Sequence, residues 1–374
     1  MSHKKVLRIF TIVLAMIMLS TVLTSAATKV KIGVICPITG PSSTFGSGVK
    51  DAIAIAQDKL KASNGINGME VEFIILDDRA NPAEAVAAAE RLIHNEKVSV
   101  LLVPVMSSVV LAVMEVTEAN KIPLVTSGAT AESITQKGYQ YIFRTCATNA
   151  TQASIIIPYA VERFKPKTAA IIYENTDYGT SLRDNTISTL EKLGVKVVGT
   201  EHYIRESVDF RAQLTKLRAL KPDILFMASI TAEAVQIMRQ RLELGWKDVQ
   251  LVAFNGIGTD TIGLAGNAAE GLLYVSGFED TLPDSVVKEF YDDWMKKYNK
   301  PINTTGAAAY NAVRVILDAI KRGGSTPNGI WTALKETKDF RGMGVDISFD
   351  QTGQAASTWI VIEVVGGKKE IRKF

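Results

Sequence analysis

The chain has 374 residues, and 47% of them are hydrophobic, which excludes an intrinsically disordered protein. The formal charge is +3, but three of the 42 Lys and Arg residues lie within residues 1–27, leaving 39 against 39 acidic residues in the rest of the chain. A neutral chain of this kind has no electrostatic attraction for nucleic acid or for an acidic membrane surface. Its length predicts about two domains.

Residues 1–27 have the features of a secretory signal peptide. A basic start with three Lys or Arg residues precedes the apolar run 9–23, and the small residues 25–27 follow. The apolar run is near the lower length limit for a membrane-spanning helix, so an uncleaved anchor is the alternative. No cysteine stands at the junction, which argues against a lipid anchor. We predict cleavage after Ala26 or Ala27 and a periplasmic location.

Strand-like and helix-like segments alternate over most of the chain. The predicted strands are 29–35, 71–76, 98–105, 122–125, 141–145, 169–173, 195–198, 223–228, 250–254, 272–278, 346–349 and 358–365. The predicted helices are 49–60, 81–93, 110–116, 152–164, 182–193, 209–220, 232–244, 285–298, 307–322 and 328–337. The alternation predicts an α/β fold with parallel sheets and right-handed crossovers. It breaks in the last third, so we expect two domains that exchange segments, with a closing hairpin through Gly366 and Gly367.

The stretch 98–130 carries the main functional signal. It reads as a strand, a polar turn at Ser107 and Ser108, a helix, a second strand and a second polar turn that ends at Thr130. Both turns then fall at the carboxyl ends of neighbouring parallel strands, where open α/β sheets bind ligands. We expect Ser107 or Ser108 to cap the helix, whose N-terminal N–H groups attract an anion such as a carboxylate. The alternative is that these side chains are structural caps only.

The sequence offers little for metal binding or catalysis. Cys36 and Cys146 end or follow apolar runs, where a buried free thiol is commoner than a disulfide, and we predict two free thiols. His94 and His202 lack metal-ligand spacing, so neither a metal nor another cofactor is expected. Ser107 has no evident base that would make it a nucleophile. We therefore predict that the chain is not an enzyme.

Short motifs along most of the chain carry a resemblance to one family. They are KIGVICPITGP, DD-x-x-NP at 77–82, SGAT at 127–130, YIFRT, DYG at 177–179, DF at 209–210, AGNAAEG at 265–271, AAYNAV at 308–313 and FD-x-x-G at 349–353. In this order and spacing they resemble the Leu/Ile/Val-binding branch of the periplasmic solute-binding proteins that serve ABC importers. Each motif alone is weak, but together they cover some 320 residues.

The resemblance implies two doubly wound α/β lobes, joined by three crossing strands, with the ligand in the cleft between them. The crossings are expected near residues 145–148, 277–278 and 350–353. Lobe one is expected to comprise residues 28–146 plus 278–350, and lobe two residues 147–277 plus 351–374.

The resemblance also implies the binding residues. In lobe one, the family's carboxylate-binding serine corresponds to Ser107, and the threonine that contacts both carboxylate and α-amine corresponds to Thr130. An aromatic side chain that covers the ligand corresponds to Phe45. Lobe two is expected to close over the ligand with Tyr178. The full predicted set is Phe45, Ser107, Ser108, Gly128, Ala129, Thr130, Tyr178, Ile230 and Asn255.

Two of these positions depart from the amino-acid-binding pattern. The acidic residue that pairs with the ligand's ammonium corresponds to Asn255, which cannot supply a negative charge. Asp260 is five residues further on and is a candidate to replace it. A lobe-two aromatic residue corresponds to Ile230. The cysteine pair of some relatives is also missing, with Arg79 and Met106 near those places.

The predicted function is therefore the binding component of an ABC importer, which captures a small carboxylate by hinge closure. Its expected partners are that ligand and an ABC permease in the inner membrane, and we expect a monomer that binds no nucleic acid. Asn255 slightly favours an amine-free keto or aromatic acid over an apolar or branched-chain amino acid. A ligand sensor for a receptor shares every one of these sequence features and stays open as an alternative, as does an enzyme on the same scaffold.

Overall fold

A computed structural model describes residues 28–356 and 359–372. The predicted signal peptide, 1–27, lies outside the described residues. Within the described part of the chain, none of the helices is both long enough and apolar enough to cross a membrane.

Strands and helices alternate as the sequence predicts. The strands are β1 (Lys29–Cys36), β2 (Glu70–Asp77), β3 (Val100–Leu102), β4 (Leu124–Thr126), β5 (Ile142–Arg144), β6 (Thr168–Glu174), β7 (Lys196–Tyr203), β8 (Ile224–Ala228), β9 (Gln250–Ala253), β10 (Leu273–Ser276), β11 (Phe340–Arg341), β12 (Asp346–Ile347), β13 (Ile360–Val365) and β14 (Lys368–Arg372). The helices are α1 (Ser43–Ala62), α2 (Pro82–His94), α3 (Ser107–Asn120), α4 (Ser133–Gln136), α5 (Asn149–Phe164), α6 (Asp177–Lys192), α7 (Arg211–Ala219), α8 (Thr231–Glu243), α9 (Thr259–Ala265), α10 (Ser285–Tyr298), α11 (Thr304–Gly323) and α12 (Pro327–Lys335).

The first lobe is built on a parallel sheet with the strand order β2-β1-β3-β4-β5. Alternate residues of β1 point to opposite faces, so Val30, Ile32 and Val34 pack against α1 and the late helices α10 to α12. Ile35 faces the other side, where α2 and α3 complete a second apolar layer. The expected adjacency of the two strands that precede the polar turns is confirmed, because β3 pairs with β4 in parallel.

The second lobe is built on a sheet with the order β14-β13-β10-β9-β8-β6-β7. Its strands pair in parallel from β10 to β7, whereas β13 and β14 pair antiparallel. The hairpin between β13 and β14 turns at Gly366 and Gly367, whose φ angles are +58° and +73°. A two-residue hairpin of this kind needs positive φ at both positions, which glycine adopts without strain.

The predicted α/β class with two parallel-sheet lobes is confirmed. The lobes exchange segments, because α10 to α12 pack on the first sheet whereas β13 and β14 extend the second. The predicted limits of the two lobes, with their crossing points, stay a prediction.

A buried arginine connects the first lobe to a predicted crossing segment. Arg144, the last residue of β5, is fully buried, and its guanidinium donates to the carbonyl of Ala131 at 2.6 Å and to the Thr135 hydroxyl at 2.7 Å. Its Nε donates to Gln354 Oε1 at 2.5 Å. Burial lowers the pKa of Arg144. The side chain therefore fixes the turn that follows β4 against the chain near residue 354.

Replacing Arg144 by methionine is expected to lower the free energy of unfolding by at least about 3 kcal/mol. The apolar side chain leaves several buried acceptors without donors, and each such loss costs about 1–3 kcal/mol. Urea unfolding measures the change, and Arg91→Met at an exposed position of α2 is the matched control. A loss below about 1 kcal/mol in Arg144→Met would contradict this role.

Candidate functional site

A cavity lies between the two lobes, at the carboxyl ends of their parallel strands. Its volume is about 140 Å³, close to the roughly 150 Å³ of a cavity that holds benzene. Six of the nine predicted site residues line it, namely Phe45, Ser107, Gly128, Tyr178, Ile230 and Asn255. Ser108, Ala129 and Thr130 are not among the lining residues. The cavity is thus formed by both lobes, at the edge that the sheet topology predicts.

The N-terminus of α3 faces the cavity through Ser107. The expected serine cap is wrong: Met106 occupies the capping position at φ +64°, and Ser107 is the first helical residue. The Ser107 hydroxyl oxygen accepts the backbone N–H of Ala131 at 3.2 Å. Its own proton is therefore free to be donated to a ligand, next to the first N–H groups of the helix, which have no intrahelical acceptor. Positive φ in a methionine is uncommon and is typical of a functional turn.

The turn after β4 supplies a second wall of the cavity. Gly128 lines it, and a Cβ on this residue would come within 2.9 Å of the Pro104 carbonyl oxygen, so the close approach requires glycine. The carbonyl of Ala129 is occupied by Arg144, whose Nη1 lies 3.3 Å away. Thr130 is fully buried, and its hydroxyl has no hydrogen-bond partner in the described chain. Thr130 therefore lies next to the lining residues but does not line the cavity itself, and its hydroxyl is available for a hydrogen bond.

Apolar side chains from both lobes cover the cavity. Phe45 lies in the first turn of α1, which begins at Ser43. The prediction that this helix begins at residue 49 is therefore wrong. Ile230, at the start of α8, packs against the apolar clusters of both lobes. The position where an aromatic residue was expected is thus filled by an aliphatic side chain that bridges the cleft.

The second lobe contributes polar side chains to the lining of the cavity. Among the described residues, three lining side chains have a buried oxygen without a hydrogen-bond partner: Glu174 Oε2, the Tyr178 hydroxyl and Asn255 Oδ1. The Tyr178 hydroxyl lies near the backbone of Gly256 without a hydrogen bond of normal geometry. Burial raises the pKa of Tyr178, and the negative charge of Glu174 raises it further. Glu174 and Tyr178 are therefore close neighbours.

Glu174 and Arg205 are functional candidates that sequence reasoning missed. Arg205 Nε donates to Glu174 Oε1 at 2.5 Å, and both residues line the cavity. Arg205 Nη1 also donates to the carbonyl of Ala80, in the other lobe, at 3.2 Å. The available signal was the acidic residue at the carboxyl end of a predicted buried strand. Its burial and its partner, 31 residues away, depend on the tertiary fold.

Asp260, the suggested replacement for the missing acid, does not line the cavity. It lies in the first turn of α9, where its Oδ1 accepts the backbone N–H of Thr261 at 3.0 Å. Burial raises its pKa. Asp260 therefore has a local structural contact and no contact with the cavity.

Other lining residues come from parts of the chain to which no specific role was given. The predicted crossings near 145–148 and 277–278 both reach the cavity, through Cys146 and Phe278 among others. The later chain adds Thr304, Asn311, Met343 and Trp359. The indole N–H of Trp359 is buried and has no acceptor in the part of the chain that the structure describes.

The two cysteines are free thiols, as predicted. Burial raises the pKa of Cys146 to about 11, so its thiol is protonated at neutral pH. In residues 28–356 and 359–372, no group of three or more His, Cys, Asp or Glu side chains is arranged to hold a metal ion.

A family model described as periplasmic binding protein matches residues 29–369. The chain belongs to this family. The match includes every residue that lines the cavity.

Three relatives show the range of ligands that similar binding proteins take. The leucine-, isoleucine-, valine-, threonine- and alanine-binding protein of Pseudomonas aeruginosa is 29% identical over 332 residues, 88% of this chain and 87% of its own length. The branched-chain amino acid binding protein LivJ of Streptococcus pneumoniae, solved with isoleucine, is 27% identical with a TM-score of 0.85, covering 92% of this chain and 98% of that one. An ABC-transporter solute-binding protein of Rhodopseudomonas palustris HaA2, solved with p-hydroxybenzoic acid, is 25% identical with a TM-score of 0.83, covering 92% and 96%.

The turn that receives Arg205 contains a buried acid. Asp78 is fully buried; its Oδ1 accepts the Ala80 N–H at 2.8 Å, and its Oδ2 has no partner among the described residues. Burial raises the pKa of Asp78 from 3.8 to about 6, and the charges of Asp77 and Glu84 add to this. The folded binding protein therefore holds this proton more tightly than the unfolded chain does.

Replacing Asp78 by asparagine is expected to remove this pH dependence. The protonated acid stabilises the fold fully below about pH 4, and this contribution is lost as the pH rises through about 6. Asp78→Asn, which mimics the protonated form, should match the wild type at pH 4. At pH 8 it should be more stable by at most about 3 kcal/mol. Urea unfolding at both values measures the difference.

Asp77→Asn is the control, and its effect on stability at pH 8 is expected to be opposite to that of Asp78→Asn. Burial raises the pKa of Asp77, but hydrogen bonds from Thr39, Arg79 and Ile38 outweigh this effect and lower it. Asp77→Asn should therefore lose stability at pH 8 relative to the wild type. If the free energies of unfolding of Asp78→Asn and the wild type differ by the same amount at pH 4 and at pH 8, Asp78 is not a buried acid with a raised pKa.

Proposed function

We propose that the chain is the periplasmic solute-binding component of an ABC importer and that it binds a small carboxylate ligand. The observation that carries the proposal is the cavity between the lobes, with the start of α3 and Ser107 on one side and the second lobe on the other. The family membership and the named ligands of the three relatives support it.

The lobe-one side of the cavity suits an anion. The first N–H groups of a helix have no intrahelical acceptor and lie at the positive end of the helix dipole. Ser107 adds a hydroxyl donor beside them, and Thr130 has an unused hydroxyl behind the wall. We propose that Ser107 and these backbone groups bind the ligand's carboxylate, with Thr130 reaching it after a small shift of the turn.

The lobe-two side suits closure over a ligand already held by lobe one. Tyr178, Ile230 and Asn255 line the cavity from lobe two, and Arg205 reaches across to the Ala80 carbonyl. A ligand that contacts both lobes favours the closed arrangement, because only that arrangement provides both sets of contacts. The closed form is then the one presented to a permease in the inner membrane.

We expect the chain to bind its ligand without changing it chemically. The thiol in the cavity, Cys146, is protonated at neutral pH and is a poor nucleophile.

The predicted signal peptide, the monomeric state and the permease partner all belong to this proposal.

Ligand binding is expected to raise the melting temperature of the mature protein by several degrees. A ligand at about a thousand times its Kd adds roughly 4 kcal/mol to the free energy of unfolding. Thermal shift assays with leucine, its 2-oxo acid and benzoate test the proposal, and leucinol, which lacks the carboxylate, is the control. The proposal is wrong if leucinol stabilises the protein as well as leucine does, or if none of the three acids does.

Replacing both Ser107 and Thr130 by alanine is expected to abolish carboxylate binding. The double variant loses two hydroxyl donors and leaves the Ala131 N–H without its acceptor, at a cost of about 1–3 kcal/mol in stability. Isothermal titration measures affinity, and circular dichroism checks the fold. Ser188→Ala with Thr215→Ala, at exposed positions of α6 and α7, is the matched control. Unchanged affinity in a folded Ser107/Thr130 variant would refute this assignment.

A further inference from the structure

Glu174 occupies an unusual position for an acid in a closed cavity. It is the last residue of β6, its side chain is fully buried, and it lines the cavity. One carboxylate oxygen is held by Arg205, whereas Oε2 has no donor among the described residues. A buried carboxylate oxygen without a donor is unfavourable, so a ligand N–H that reached it would be strongly bound.

Two further acceptors lie at the same edge of the sheet. β6, β8 and β9 are adjacent parallel strands, so Glu174 and Asn255 both lie near their carboxyl ends. Tyr178 follows on α6 and lies close enough for its pKa to be affected by the charge of Glu174. All three residues line the cavity, and each has a buried side-chain oxygen without a hydrogen-bond partner in the described chain. An ammonium group has three N–H donors, and this set of acceptors matches that chemistry.

The charge balance of the cavity favours the same ligand. Among the described lining residues, Glu174 is the acid and Arg205 the base, and they pair with each other. A zwitterion adds no net charge to the space between the lobes, whereas an amine-free acid adds a negative charge near Glu174. Burying an unbalanced charge is costly.

We propose that Glu174, positioned by Arg205, accepts the ligand's ammonium group and replaces the acid missing at Asn255, so that the cavity selects zwitterionic amino acids over amine-free acids. This inference rests on the proposed function, with the ligand carboxylate at the start of α3. Arg205 also donates to the Ala80 carbonyl of the other lobe, so contact between the lobes adds a further restraint on the side chain that holds Glu174.

The test compares Glu174→Gln with the wild type on matched ligand pairs. Alanine, leucine and phenylalanine are each paired with their 2-oxo acid, and isothermal titration gives both affinities. The wild type should bind at least one amino acid tenfold or more tighter than its 2-oxo acid. Glu174→Gln should weaken the binding of that amino acid at least tenfold and should not weaken the binding of its 2-oxo acid. The neutral amide loses the contact with the ammonium, and the positive charge of Arg205 is left to balance an amine-free anion. Glu191→Gln, at an exposed position of α6, should leave the ratio unchanged.

A second variant guards against misfolding of Glu174→Gln. Glu174→Gln with Arg205→Met removes both charges, so no unpaired guanidinium stays buried, and its preference for the amino acid over the 2-oxo acid should also fall. The inference is overturned if the wild type prefers the 2-oxo acids, or if either folded variant keeps the wild-type ratio. If the wild type binds no member of any pair and no benzoate, the proposed carboxylate-binding function fails instead.

Discussion

The cavity edge of the first lobe depends on a buried guanidinium that has no acidic partner among the residues the structure describes. Arg144 donates to neutral acceptors only: the carbonyls of Ala129 and Ala131, the Thr135 hydroxyl and the Gln354 side chain. These acceptors belong to the turn after β4 and to the chain near residue 354. Because planar guanidinium donors are fixed in direction, one side chain sets the position of both segments. Arg144, at the end of β5, therefore holds in place the turn that contains Gly128 and Thr130.

The cavity divides its polar groups between the lobes. Lobe one offers donors, namely the start of α3 and the Ser107 hydroxyl, whereas lobe two offers mainly acceptors at the ends of its strands. Apolar side chains such as Phe45 and Ile230 occupy the space between them. A ligand with an anionic end, an apolar body and a donor end would satisfy both lobes at once. The separation of donors from acceptors thus gives a physical reason for closure over a ligand.

Sequence reasoning was sound where the determinants are local. Alternating strands and helices place neighbouring polar turns at one sheet edge whatever the details of packing, and Ser107, Gly128, Tyr178 and Asn255 reach the cavity for that reason. The cap of α3 was wrong because Met106 takes a left-handed conformation that its residue type disfavours. The start of α1 was also wrong, since a glycine-containing segment with weak helix propensity is ordered there by its tertiary contacts.

The pair of Glu174 and Arg205 could not be predicted, for a different reason. The residues lie at the ends of β6 and just beyond β7, and only the pairing of those two strands brings them together. In the sequence each reads as an ordinary charge at a strand end. Arg205 in addition donates to the Ala80 carbonyl of the first lobe, a contact that the order of residues in the sequence does not reveal. In the proposed mode of binding, specificity for the ligand's charge depends on long-range packing, whereas the capture of its carboxylate depends on one local strand, turn and helix. Substitutions such as Asn255 for an acid can therefore be offset elsewhere on the same sheet edge, and a motif that has lost one residue is weak evidence that the ligand class has changed.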